Sequence, residues 1–146
     1  MKKGFIWFFV LASAIGISGV AALAQDASVS LYPGARSDDE TKAVCAQEPP
    51  RNIIQEREES AGLTKSKQCY RTSDPFAKVV AFYKNQEGFK GDVSVDEQEL
   101  KTASFCRGIC NEVSVGTSIA ISTPWFVPGA MKMNNDLLIF ITSRRK

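Results

Sequence analysis

Between Asp74 and Phe89 the apolar residues Phe76, Val79, Val80 and Tyr83 recur at i, i+3, i+4 and i+7, while Lys78, Asn85 and Gln86 point elsewhere. That period draws one apolar stripe along an α-helix. Asp74 ahead of Pro75 predicts its start, because proline's missing N–H costs nothing in a first turn and the residue before it is held extended, as a cap requires. Gly88 predicts its end, with Phe89 packing back on Tyr83. Elsewhere the period is two. Val113, Val115, Ile119 and Ile121 alternate around Thr117, which predicts a strand over 112–122, and 92–105 reads as an earlier strand region. The run Leu137 to Ile141 is apolar at every position, so a strand over 136–142 should be interior and covered on both faces.

Nearer the N-terminus the pattern weakens. An extended piece over 28–32 leads into a Pro33-Gly34 turn. Ser37 and Glu40 have capping-box spacing, and Asp38 and Asp39 add charge suited to a helix N-terminus, so a short helix is expected over 38–47, stopped by Pro49 and Pro50. From Arg51 to Lys67 apolar residues are few and no period is sustained, which predicts a surface excursion holding at most a helical turn. The sum is an α+β domain: a mostly antiparallel sheet of about four strands, one main helix packed on one face, and a short N-terminal helix.

The main helix covers one face of the interior strand, and something must cover the other. The stretch "TPWFVPGAMKMNN", 123–135, is unusually apolar for a connection. It is expected to fold over that second face, where Ser114, Gly116, Ser118, Ala120 and Ser122 leave room for large rings. The competing reading leaves Trp125, Phe126, Val127, Met131 and Met133 partly exposed as a contact patch for an envelope protein or a hydrophobic ligand.

The chain opens MKKGFIWFFVLASAIGISGVAALAQD. Two lysines, an apolar run diluted by Ser and Gly, and Ala22-Leu23-Ala24 predict a signal peptide over 1–24, which leaves 25–146 as a single domain. Lys2 and Lys3 account for the whole formal charge of +2, so the remainder is balanced. A balanced chain lacks the clustered cations that phosphate contacts need, and no nucleic-acid partner is expected. Arg144, Arg145 and Lys146 read as a solubilising tail, with membrane contact at most peripheral.

Four cysteines in an exported chain predict two disulfides, with three possible pairings. In "FCRGIC" the flanks are strand-like, so Arg107-Gly108-Ile109 reads as a three-residue hairpin connection that sets Cys106 opposite Cys110, Ala103 opposite Val113 and Phe105 beside Asn111. Cys45 and Cys69 then pair, joining the short early helix to a strand that precedes the main helix. The C-x-x-x-C spacing, with no helix following the first cysteine, argues against a thioredoxin-like centre. The chain has no histidine, and four thiolates do not survive as a zinc site in an oxidising compartment. Neither metal nor cofactor is expected.

Two blocks, "LYPGAR" at 31–36 and "YRTSDPFAKVVAFYK" at 70–84, resemble a loose group of uncharacterised exported bacterial proteins in which a Tyr-Pro-Gly-Ala turn precedes an Asp-Pro-Phe to Phe-Tyr helix. The resemblance implies export and carries no activity with it. The missing histidine excludes Ser-His, Cys-His and His-metal mechanisms, and no glycine-rich phosphate cradle is present. Glu56, Glu58, Glu59, Asp92, Asp96, Glu97 and Glu99 fall in charge-mixed segments expected to be solvated, so no catalytic residue is assigned. The expected function is a small periplasmic binding protein that uses the 123–135 stretch. The alternatives are an enzyme using carboxylates or an exposed disulfide, and a structural accessory whose loop is wholly internal.

Overall fold

The structure, a computed structural model, describes residues 29–48, 52–108, 110 and 114–146. The expected leader and the proline pair after the first helix lie outside them. In chain order the elements are α1 (Asp39–Cys45), α2 (Ile53–Ser60), β1 (Thr64–Thr72), α3 (Phe76–Lys84), β2 (Lys90–Asp96), β3 (Lys101–Gly108), β4 (Gly116–Thr123), β5 (Trp125–Val127), β6 (Lys132–Asn134) and β7 (Leu137–Arg145). Five strands form one sheet in the order β1-β7-β4-β3-β2, and β5 pairs with β6 separately. Every pairing is antiparallel. The α+β class holds, with one more strand in the sheet and one more helix than the sequence pattern indicated.

β7 lies between β1 and β4, as a strand apolar on both faces must. Leu137, Ile139 and Ile141 pack with Ala103, Phe105, Ile119 and Ile121 against Val79, Val80 and Tyr83 of α3. On the other face Leu138 and Phe140 pack with Cys69, Trp125 and Val127, and with Val44 and Cys45 at the end of α1. Cys45 and Cys69 are disulfide-bonded with a Cα–Cα distance of 5.7 Å, which ties α1 to β1. The two resembling blocks meet. The Tyr32 hydroxyl donates to Asp74, the Tyr32 amide donates to the buried Tyr83 hydroxyl at 3.2 Å, and the Tyr32 ring meets Phe82 edge-on. Burial pushes the Tyr83 phenol up to about 12.

Several local expectations are corrected. α1 is capped by Asp38 and not Ser37: the Asp38 carboxylate accepts from the Thr41 amide, and the Thr41 hydroxyl, in place of Glu40, accepts from the Asp38 amide. Asp74 does not cap α3, because its carboxylate is engaged by Tyr32 and Lys78. The expected excursion at 51–67 is α2, capped by Asn52, followed by the first half of β1. The region 92–105 is two strands joined at a turn where the Glu97 amide donates to the Leu100 carbonyl at 2.9 Å.

β3 does not turn at Arg107. It runs on to Gly108, and its register sets Ala103 opposite Ile121, Phe105 opposite Ile119 and Gly108 opposite Gly116. The shift is even-numbered, so the residues assigned to the core face stay on it. Cys106 and Cys110 are bonded, but the bridge runs from Cys106 within β3 to the connection that follows the strand and not across a strand pair.

Candidate functional site

The stretch 123–135 splits between the two readings made of it. β5 and β6 form a short hairpin in which Trp125, Phe126 and Val127 face Asn134, Met133 and Lys132. Alternation sends Trp125 and Val127 inward, where they are 4% and 2% exposed, and leaves Phe126 outside at 45%. As residues against the core, Trp125 and Val127 are removed from the expected contact patch. Phe126 and Met133 are direct cross-strand partners and so share the outer face, and Met133 is 54% exposed. Met131, in the connecting turn, has φ +49° and is 80% exposed. That backbone region is unfavourable for a long side chain.

The rings do not lie over β4 as expected. They cover β1 and β7, and Ala120 and Ser104 on the same sheet face stay exposed. Arg71 fixes this position. It projects from β1 with Nε donating to Asp136 at 2.6 Å and Nη1 donating to Glu40 at 2.6 Å and Asp38 at 3.2 Å. Its guanidinium carbon stands 5.1 Å from the centre of the Trp125 ring. Trp125 Nε1 donates to the second oxygen of Asp136 at 3.0 Å, the partner a buried indole needs.

Glu40 also accepts from Asn134 at 2.8 Å and pairs with Lys132. Lys132 and then Asn134, with Arg71, hold its carboxyl down to about 2. The carboxylates, Asp136 foremost, raise the Arg71 pKa in turn. α1, β1 and the hairpin are thus joined through one cation, and the acidic residues that read as helix-start charge have a second task.

A groove of about 590 Å³ runs beside the hairpin, bounded by Leu100, Pro124 and Met133. Leu100, at the β2–β3 turn and also exposed, was not singled out by the sequence. Its signal is a lone leucine in the polar run "DEQELK", which no core period accounts for.

Two charge assignments are also corrected. Glu58 is buried, with its carboxylate held by Arg144 and by Lys65 at 3.3 Å. Burial opposes its ionisation, and Arg144 and Lys65 outweigh that and lower its pKa. Arg144 and Arg145 extend β7 opposite Lys65 and Thr64 of β1, so they are sheet residues and not a free tail. Among the described residues no group of acidic and thiol side chains is arranged to hold a metal ion, and no helix is long and apolar enough to cross a membrane. No family model, curated protein or solved structure matches the chain.

Proposed function

We propose that this is a small exported, disulfide-stabilised protein of the bacterial periplasm that acts by binding, through the outer face of the β5–β6 hairpin. The observation that carries the reading is the split of one hairpin between two environments. Trp125 and Val127 root it in the core while the Phe126–Met133 pair is held outward beside Leu100. Exposed aromatic and methionine side chains on a rigid support are adaptable contact groups. Met131, held at positive φ, extends the patch, and unfavourable backbone persists where surroundings impose it. The partner is an envelope protein or a hydrophobic ligand. The bridges suit the oxidising compartment that an export signal implies.

The test replaces Phe126 and Met133 together by Ala. Both are exposed, so the melting temperature should move by no more than about 2 °C, while capture of the wild-type protein's partner from native envelope extract is lost. Trp125→Ala, in contrast, should cost about 3–5 kcal/mol of stability. A double variant that captures the same partner as wild type ends the proposal.

A further inference from the structure

A second surface is chemically distinct from the hairpin. A cavity of about 330 Å³ opens at the end of β3 and β4, and the Cys106–Cys110 bridge forms part of its wall. Lys90, Arg107 and Arg144 line it, Arg144 being already paired with Glu58 and Arg107 lying over the Phe89 ring, so Lys90 is the cation beside the bridge; none of the described lining residues is acidic. The register makes the contact specific. Lys90 of β2 lies directly opposite Cys106 on one side and Ser118 of β4 directly opposite on the other, so all three side chains share a face. The two cysteines are unequal, with Cys110 an exposed residue of the connection and Cys106 a half-buried residue of the strand. In the other bridge Cys69 is buried beneath α1 and the hairpin, and Cys45, half-buried, lines a cavity that also holds the carboxylates Glu48, Glu58 and Glu59, which would repel an acidic chain.

We infer that the Cys106–Cys110 bridge is a thiol–disulfide exchange site that accepts two electrons from an acidic peptide dithiol drawn into this cavity. The substrate thiolate attacks the accessible Cys110 Sγ, forming a mixed disulfide. The Cys106–Cys110 bond breaks, and its electron pair leaves on Cys106 Sγ as a thiolate beside the Lys90 ammonium. The second substrate thiolate then attacks the substrate sulfur of the mixed disulfide, which closes the substrate's own disulfide and releases Cys110 as a thiolate. One protein bridge is reduced for each dithiol oxidised, and the protons released by the substrate thiols are taken up by solvent and by the two cysteines. The spacing lacks the helix N-terminus of thioredoxin-like centres, but a neighbouring cation stabilises a departing thiolate in the same electrostatic sense.

The protein with both bridges oxidised is mixed with a synthetic acidic peptide bearing two thiols or with a basic counterpart, and each rate is normalised to that peptide's reaction with a small neutral disulfide. Alkylation and mass spectrometry should find one equivalent of peptide oxidised, Cys106 and Cys110 reduced, Cys45–Cys69 intact, and the trapped intermediate on Cys110. The acidic peptide should react roughly tenfold faster than the basic one. Lys90→Glu, an exposed change one cross-strand spacing from the sulfur, should erase that preference. The inference is overturned if the bridge is as inert as Cys45–Cys69, if the intermediate sits on Cys106, or if both peptides react at one rate that Lys90→Glu does not alter.

Discussion

Glu40 shows how much one side chain can join. Its carboxylate stands on the first turn of α1, receives Arg71 from β1, and receives Asn134 and Lys132 from the hairpin. Its folded pKa, about 2, lies below the ordinary 4.5, so the folded state binds its proton less readily than the unfolded chain does. The sign follows: Glu40 stabilises fully above about pH 4.5, and that contribution drains away as pH falls from 4.5 towards 2. A melting-temperature profile should therefore drop through this window, and Glu40→Gln should flatten the drop while lowering stability at neutral pH. Unchanged acid sensitivity in that variant would contradict the assigned role. The sequence disclosed the acidic cluster 38–40 but not the use of Glu40, because its partners lie at 71, 132 and 134 and no local spacing connects them.

At the scale of elements, legibility followed the source of order. α3 and β7 were readable because burial on one stripe or on both faces writes a period into the chain. α2 was not, and β1 was legible only as a strand around Cys69 ahead of the main helix, its first half passing for a surface excursion, for different reasons. α2 buries little besides Glu58 and is defined by its Asn52 cap. β1 is an edge strand whose Lys65 and Lys67 turn towards Glu58 and Glu48, so its inward row reads as polar. Lysines of this kind also discourage edge-to-edge pairing. The contact surface was half legible, since apolar content marked 123–135 while only alternation within β5 separates Trp125 and Val127 from Phe126.

The β2–β3 pairing depends on a glycine that no periodicity reveals. At Gly91, with φ +149°, a Cβ would stand 2.0 Å from the Ser104 carbonyl oxygen. Gly91→Ala should destabilise by more than about 1 kcal/mol and loosen β2 first, seen as selective loss of protection of its amides. Uniform protection would show that the strands part less readily than this contact implies.

For the whole molecule, the sheet is dressed unevenly. One face is covered by α3 and its neighbours, while on the other α1 and the hairpin, tied by Cys45–Cys69, cover β1 and β7 and leave Ala120 and Ser104 bare. Removing that tie by Cys45→Ala with Cys69→Ala should cost about 3 kcal/mol, from the chain-entropy value for a 24-residue separation; denaturant melts with a lower midpoint, and a steeper slope because the unlinked unfolded chain exposes more surface, would measure it. The asymmetry also gives opening a direction. Fluctuations that expose backbone should begin at β2, an edge strand exposed along nearly its whole length and tied by no disulfide, and reach β7 last, so the bonded half acts as a keel against which the opposite margin flexes.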